Sequence, residues 1–264
     1  MDLQLAGKSA LVSGSTAGIG FAIAQGLARE GAEVVVNGRT QERVDTAVAT
    51  IKKKFPDSLV QGFAGDLSKT EVADELFKRY SGIEILVNNL SIFEPKEFTA
   101  ITDDEWKRFF EVNVLSGVRL SRWYLPRMLK SDWGRIVFIS SESALQIPAE
   151  MIHYGMTKTA QLAVARGLAE LTVGTGVTVN SVLPGPTASE GVTDFVTSLA
   201  KQQNQSVEEF EQLFFEKIRP TSLLKRFAST EEVANMVIYV CSPLASATNG
   251  SALRVDGGVV RAIV

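Results

Sequence analysis

Short runs of β-branched and apolar residues alternate with helical patterns along most of this 264-residue chain. Neighbouring parallel strands need a long crossover, which an α-helix usually provides, whereas antiparallel strands can follow one another directly. The alternation therefore predicts an α/β fold in which a doubly wound parallel sheet carries helices on both faces. About seven runs have the length and composition of strands, namely residues 10–13, 34–37, 59–63, 83–88, 136–140, 177–183 and 253–255.

Three Ser/Thr-x-x-Glu sequences predict where helices begin, independently of the hydrophobic pattern. In such a capping box the hydroxyl and the glutamate satisfy backbone N–H groups that have no partner inside the helix. These sequences support the same division into strands and helices. The pairs are Ser68 with Glu71, Thr102 with Glu105 and Ser229 with Glu232.

The chain shows no sign of a division into two folding units. It contains no internal repeat, no low-complexity tract and no linker rich in proline, glycine and serine, so a single domain over residues 1–264 is predicted. Residues 186–227 interrupt the alternation between the sixth and seventh predicted strands. Long insertions after sheet strands are often functional, so this stretch is predicted to be a substrate lid, with a static surface excursion as the alternative.

Composition limits the classes of partner. The formal net charge of −3 lacks the basic excess that nucleic acids and anionic membranes favour. No apolar run approaches the roughly 20 residues that span a bilayer, and residues 1–8 lack the layout of a secretory signal. We therefore expect a cytoplasmic protein that binds neither nucleic acid nor membrane. One cysteine, Cys241, and one histidine, His153, are too few for an internal disulfide or a usual zinc site, so no metal is predicted.

A glycine-rich segment joins the first predicted strand to a helical pattern over residues 21–29. Glycine permits a tight turn and a close backbone approach to phosphate, and the helix N-terminus attracts the anion. The order of strand, loop and helix predicts a Rossmann-type dinucleotide site, with a merely tight turn as the alternative. The residues expected to contact the dinucleotide here are Gly14, Ser15, Thr16, Gly18, Ile19 and Gly20.

The end of the second predicted strand bears on the choice of dinucleotide. An NAD site usually places an acidic residue there to bind the ribose 2′-hydroxyl, but this chain has Arg39 after Asn37 and Gly38. A guanidinium is suited to a 2′-phosphate, so NADP(H) is favoured over NAD(H). The alternative is a solvated arginine at the start of a helix.

Tyr154 and Lys158 lie four positions apart on a predicted helix, so their side chains share one face. A phenol has a pKa of about 10, and a neighbouring ammonium lowers it, which predicts tyrosine as a proton donor or acceptor and lysine as the group that tunes it. Ser141 follows the fifth predicted strand, where its hydroxyl can donate to a substrate carbonyl oxygen. Ser140 is the competing choice.

Taken together, these motifs resemble those of the short-chain dehydrogenases/reductases over essentially the whole chain. The G-x-x-x-G-x-G spacing is the variant seen in that family, and the Tyr-x-x-x-Lys motif follows a serine. Other matching positions are Asn88, Asn89, Asn113, Pro184, Gly185 and the segment Val255-Asp256-Gly257-Gly258. The resemblance implies an oxidoreductase that transfers a hydride between a nicotinamide cofactor and a secondary alcohol or ketone.

The resemblance also implies a role for individual residues. Ser141 would polarise the carbonyl, Tyr154 would transfer the proton, and Lys158 would lower the tyrosine pKa and hold the nicotinamide ribose. Asn113 would support a water-linked proton path. The remaining cofactor contacts implied are Asp66 and Leu67 at the adenine, Asn89 in the cleft, Pro184 and Gly185, and Thr187 or Ser189 at the carboxamide.

Some features stay open at this point. The family usually has Ala-Gly after its paired asparagines, whereas this chain has Leu90-Ser91, whose added bulk would narrow the cleft near the nicotinamide. Either the backbone tolerates this bulk or the access of substrate is reshaped. His153 is expected at the pocket wall or the surface, without a chemical role. The basic residues between 119 and 130 could attract an acyl carrier protein, but a solvated face is favoured. Within the implied chemistry, 3-oxoacyl-thioester reduction is one alternative among sugar, steroid and xenobiotic carbonyls. The family commonly forms tetramers, so a homo-oligomer is expected. A non-catalytic NADP-binding sensor is the alternative outside enzymes.

Overall fold

The protein was examined as a computed structural model that describes residues 1–190 and 206–263. Of the predicted lid over residues 186–227, the part from 191 to 205 lies outside the described residues, so the lid stays a prediction. Within the described ranges, no helix has the length and apolar character needed to cross a membrane.

One parallel sheet forms the centre of the fold, as the alternation predicts. Its strand order is β3-β2-β1-β4-β5-β6-β7, and each neighbouring pair is parallel. The predicted strands agree with the observed ones to within two residues at each end. The strands are β1 (Ser9–Val12), β2 (Glu33–Gly38), β3 (Val60–Ala64), β4 (Ile85–Asn88), β5 (Gly134–Ile139), β6 (Val177–Pro184) and β7 (Ala252–Val255).

Helices cover both faces of the sheet. Those on one face enclose a core that includes Ile23, Ile51 and Val237, from α1, α2 and α8. Those on the other face enclose Leu76 and Tyr124, from α3 and α5, together with residues of α6. This arrangement confirms the doubly wound α/β class. The helices are α1 (Gly18–Arg29), α2 (Gln41–Lys54), α3 (Thr70–Arg79), α4 (Asp103–Phe110), α5 (Ser116–Lys130), α6 (Ile152–Glu170), α7 (Val207–Leu213) and α8 (Thr230–Cys241).

The strand order reverses direction at the centre of the sheet. From β1 the chain first builds outward through β2 to β3, and then returns to place β4 on the other side of β1. Ligands of open α/β sheets bind beyond the carboxyl ends of the strands at such a reversal. The segments that follow β1 and β4 therefore face one another where a dinucleotide is expected.

Two of the three predicted capping boxes are present. The hydroxyls of Thr102 and Ser229 each accept a hydrogen bond from the N–H of the glutamate three residues on. The carboxylate of that glutamate in turn accepts from the backbone N–H of the threonine or serine. The prediction for Ser68 is wrong, since α3 begins at Thr70 and Lys69 precedes it. The Asp66 carboxylate accepts hydrogen bonds from the Ser68 N–H and hydroxyl at 3.0 and 2.7 Å. A charged acceptor two residues away binds the serine more strongly than a helix amide does.

The close approach of α1 to α8 depends on Gly26. A side chain at this position would collide with Ile238, which is 2 % exposed and cannot move into solvent. Gly167 on α6 provides a matched control, because a side chain there would meet nothing within 4 Å.

We expect Gly26→Val to lower the free energy of unfolding by about 1–3 kcal/mol through overpacking. Gly167→Val, with the same change in helix propensity, should leave it within about 0.5 kcal/mol of the parent. Urea unfolding of both variants measures the difference. Equal midpoints would show that Gly26 does not limit the distance between the helices.

Candidate active site

A cleft of about 1500 Å³ lies along the carboxyl edge of the sheet. Residues that follow β1 through β6 contribute to its lining, and residues from α7 and the adjoining turn close one end. Most of the predicted site residues meet here. Those that line the cleft are Gly14, Thr16, Gly18, Ile19, Gly20, Arg39, Asp66, Leu67, Asn89, Ser141, Tyr154, Lys158, Pro184, Gly185 and Thr187, together with Ser189.

The glycine loop leaves the N-terminus of α1 accessible to an anion. Gly18, the first residue of α1, has φ +57°, a conformation that side chains disfavour. A side chain on Gly20 would collide with the Gly14 carbonyl and the Asn89 amide. Within the described part of the chain no side chain caps this helix, and its first turn holds no acidic residue. Its first N–H groups and its dipole therefore fit a pyrophosphate.

Two asparagines, the buried Asn37 and the half-buried Asn89, hold the loop in place. Asn37 accepts a hydrogen bond from the Gly14 N–H at 3.1 Å and donates to the carbonyls of Phe63 and Gly65, so it connects the loop to β3. Asn89 donates to the Gly14 carbonyl at 2.8 Å and to the Ser13 carbonyl at 3.0 Å. Cross-links from both sides fix the loop before any ligand contacts it.

Ser15 does not reach the cleft surface. It is fully buried, its hydroxyl donates to the Val12 carbonyl at 2.6 Å, and it accepts from the Asn37 N–H at 2.9 Å. The hydroxyl is thus used inside the loop, and the contact of Ser15 with a dinucleotide stays a prediction that its side-chain bonds do not support.

Three cations line the cleft beyond β2 and β3, where the ribose of a dinucleotide would carry its 2′ group. Arg39 is exposed here, as the sequence predicts, and Arg43 and Lys69 lie nearby. Arg43 forms an ion pair with Glu190 at 2.9 Å. Sequence reasoning missed Arg43, in the first turn of α2, and Lys69, just before α3, although helix starts that follow parallel strands were a usable signal.

Tyr154 and Lys158 project from the first turns of α6 next to the end of β5. The Lys158 Nζ lies 5.5 Å from the centroid of the Tyr154 ring and donates to the Ile139 carbonyl at 2.9 Å. Both side chains line the cleft, although Lys158 is only 2 % exposed. The ammonium is thus held between the strand end and the phenol.

The structure distinguishes the two candidate serines. The Ser140 hydroxyl donates to the Lys158 carbonyl at 2.9 Å, so it attaches α6 to β5. The Ser141 oxygen accepts from the Ser143 N–H at 3.1 Å, which leaves its proton available to another acceptor. This geometry favours Ser141 as the donor to a substrate oxygen.

Burial dominates the ionisation of this group. It raises the pKa of the Tyr154 hydroxyl to about 12, with opposition from Ser141 and Arg219 and reinforcement from Glu142. Burial also lowers the pKa of Lys158 to about 7. In the protein chain itself, the net shift of the tyrosine is therefore upward, against the downward shift expected from the lysine.

Asn113 and His153 lie outside the cleft lining. The Asn113 side chain bonds both backbone groups of Ile92 and the Thr157 hydroxyl, so it fixes the loop after β4. His153 is 1 % exposed, and its ring packs against Phe109 at a centroid distance of 4.0 Å. The expected wall or surface position of His153 is therefore wrong, because its side of α6 packs against α4.

The departure at Leu90-Ser91 is accommodated at the cleft wall. Both residues line the cleft, and the Leu90 N–H donates to the Ser13 hydroxyl at 3.1 Å. The Leu90 side chain packs against the core on the α3 and α5 side of the sheet. The half-buried Leu90 side chain thus lies between the core and the cleft.

Comparison with known proteins agrees with this geometry. A family model described as enoyl-(acyl carrier protein) reductase matches residues 14–260. The oxidoreductase YvaG of Bacillus subtilis, whose name marks it as uncharacterized, is 51 % identical over 263 residues that cover 100 % of both chains. The chain belongs to the short-chain dehydrogenase/reductase family. It is an enzyme that acts on CH–OH and C=O groups.

Two further relatives are informative within the family. The 3-oxoacyl-[acyl-carrier-protein] reductase FabG of Aquifex aeolicus is 34 % identical, and the match covers 98 % of this chain and 100 % of FabG. The crystal structure of L-sorbose reductase from Gluconobacter frateurii, complexed with NADPH and L-sorbose, has a TM-score of 0.93 and 31 % identity. That match covers 100 % of both chains.

The wall of the cleft beside Ser141 contains a buried ion pair that the sequence did not reveal. Glu142 directly follows Ser141 and accepts from the Arg219 Nε at 2.9 Å. Arg219 also contacts Glu150 at 3.3 Å. Burial raises the pKa of Glu142, and the Arg219 guanidinium opposes that shift. Aromatic side chains line the surrounding wall, namely Phe93, Phe210, Phe214 and Phe227.

Arg219→Met should lower the free energy of unfolding by about 3–5 kcal/mol at pH 8, since it leaves the Glu142 carboxylate buried without its cation. Removal of the cation raises the pKa of Glu142 further, so the Glu142 carboxylate should become protonated at lower pH. The loss of unfolding free energy should therefore be smaller at pH 5 than at pH 8. The double variant Glu142→Gln/Arg219→Met removes the charge and should recover most of the stability. Urea unfolding at both pH values tests this, and an equal loss in both variants would contradict it.

Proposed function

We propose that this enzyme interconverts a secondary alcohol and a ketone with NADP(H) as the hydride carrier. The observation that supports this most directly is the meeting of Ser141, Tyr154 and Lys158 in the same cleft as the glycine loop. Acid–base groups and an anion-binding helix end are the parts that hydride transfer to a carbonyl requires. The intact set of side chains argues against a non-catalytic sensor.

The cleft fits a dinucleotide with a 2′-phosphate. The uncapped start of α1 would bind the pyrophosphate, and the cations beyond β2 and β3 would bind the 2′-phosphate. We assign the main contact to Arg39, with Arg43 and Lys69 as additional cations. Asp66 and Leu67 would flank the adenine, and Thr187 or Ser189 would contact the carboxamide.

Ser141, Tyr154 and Lys158 have different roles at the substrate carbonyl. When bound, the nicotinamide supplies the hydride to the carbonyl carbon in the reductive direction. The Ser141 hydroxyl donates a hydrogen bond to the carbonyl oxygen, which gains the electron pair of the C=O bond. Tyr154 then gives its hydroxyl proton to that oxygen, and the charged Lys158 stabilises the phenolate that remains.

The substrate class within this chemistry has two candidates. The TM-score of 0.93 to L-sorbose reductase supports a polyhydroxylated ketone. The 34 % identity to FabG supports a 3-oxoacyl thioester as the alternative. Initial rates with NADPH on L-sorbose and on an acetoacetyl thioester distinguish them. We further propose a cytoplasmic homo-oligomer, dimer or tetramer, whose state light scattering would measure.

Tyr154→Phe should lower kcat for ketone reduction by about 10²–10⁴-fold, because the proton donor is removed while the ring is kept. Cofactor binding, followed by NADPH fluorescence, should remain. The control is Tyr239→Phe on α8, a half-exposed tyrosine outside the cleft, which should keep full activity. Full turnover by Tyr154→Phe would exclude the mechanism.

Arg39→Ala should raise the KM for NADPH by about 10- to 100-fold, since it removes a charged hydrogen-bond donor to the 2′-phosphate. The KM for NADH should change by less than about 2-fold, because NADH lacks that phosphate. Arg79→Ala on α3, outside the cleft, serves as the control. Parallel losses with both cofactors, or an initial preference for NADH, would overturn the assignment.

A further inference from the structure

Gln161 connects two parts of the proposed catalytic machinery directly. It lies one turn beyond Lys158 on α6 and is only 2 % exposed. Its Oε1 accepts from the Lys158 Nζ at 3.4 Å. Its Nε2 donates to the backbone carbonyl of Asn113. Both ends of this buried amide are therefore occupied, one by the ammonium and the other by Asn113.

The contact with Asn113 occurs at an irregular point in the neighbouring helix. Between α4 and α5 the chain forms a π-helical turn, Glu111–Leu115, which contains Asn113 and packs against α6. Such turns are rare in proteins, and those that occur often lie at functional sites. The Asn113 side chain bonds Ile92 and Thr157, and the Asn113 backbone carbonyl is the group that contacts Gln161.

Only neutral oxygens contact the Lys158 ammonium among the described residues. They belong to Ile139 and Gln161. No carboxylate lies within ion-pair distance of Lys158 in that part of the chain. Burial lowers its pKa to about 7, which leaves little margin for the charged form near neutrality. An acceptor beside the ammonium favours that form.

The other titratable and charged groups near Lys158 and Gln161 act on residues other than Lys158. Tyr154 lies on the same helix, and the Glu142–Arg219 ion pair, from the segment after β5 and the turn after α7, acts on the tyrosine. Glu105 on α4 acts on His153. Burial is the cause of the Lys158 shift.

We propose that Gln161 is a positioning residue that holds the Lys158 ammonium beside Tyr154, favours its charged form and links it directly to the Asn113 carbonyl. The inference rests on the proposed function, and the water-linked path expected through Asn113 stays a prediction beside it. Gln161 touches neither substrate nor the reacting atoms, and it acts through Lys158. A residue that merely fills space would affect stability without affecting the ionisation of the lysine.

Two substitutions should move the ionisation of Lys158 in opposite directions. Gln161→Met keeps the length but removes the acceptor, so the pKa should fall by about one unit. Gln161→Glu adds a carboxylate beside the ammonium, so the pKa should rise by about 1–3 units. Lys158 is charged at pH values below its pKa. Ketone reduction, which needs the ammonium, is therefore lost as the pH rises above the pKa of Lys158. The alkaline limb of kcat should therefore move to lower pH in Gln161→Met and to higher pH in Gln161→Glu.

The control is Asn180→Leu, which removes another buried amide with both ends bonded, on β6. It should lower stability without moving the pH profile. If Gln161→Glu does not fold, Gln161→Met decides alone. An unshifted limb in a folded Gln161→Met, or shifts of the same sign in both variants, would overturn the proposal.

A second measurement does not require turnover. Proteins labelled with ¹³C at the lysine ε-carbon report the Lys158 titration by NMR, with Lys158→Met used to assign the signal. A shifted titration without reduction of any ketone by the parent would support the role of Gln161 and refute the proposed function. Turnover by the parent with an unchanged titration in Gln161→Met would refute the role of Gln161 alone.

Discussion

The parallel direction of all the strands in this sheet is the constraint on which the site depends. Because every strand points the same way, the segments that follow them emerge at one edge. The reversal of strand order beside β1 then opens a space between the segments after β1 and β4. The glycine loop, the serines after β5 and the start of α6 converge there, although they lie far apart in the sequence.

Several polar side chains at the carboxyl edge of the sheet are themselves hydrogen-bonded within the protein. A buried amide without partners costs about 1–3 kcal/mol, so the buried Asn37 is tolerated because backbone groups satisfy it, and the half-buried Asn89 is bonded to backbone carbonyls in the same way. In return they fix the loop around Gly14 from both sides. Ser15 works in the same way from inside the loop, which explains why a residue in a binding motif is absent from the cleft surface.

Buried charge is distributed unevenly across the site. Beside Ser141, Glu142 has Arg219 as a close partner, so each charge compensates the other. Beside Tyr154, the Lys158 ammonium contacts only neutral oxygens within residues 1–190 and 206–263, and burial lowers its pKa to about 7. An unpaired ammonium responds strongly to a neighbouring charge, which suits a group that must stabilise a phenolate as it forms.

The sequence by itself determined the sheet, its parallel direction and the segments at its carboxyl edge, because strand periodicity, helix caps and glycine positions are local properties of the chain. Tyr154 and Lys158 were predictable as a pair since helical spacing alone places them on one face. The prediction of a helix cap at Ser68 was wrong because the Ser68 hydroxyl donates to the Asp66 carboxylate, two residues before it. Only the tertiary structure placed His153 against Phe109, Arg219 beside Glu142 and Gln161 beside Asn113. Those contacts join distant positions, and their geometry depends on how α6 and the turn after α7 pack against the sheet, which no local pattern encodes.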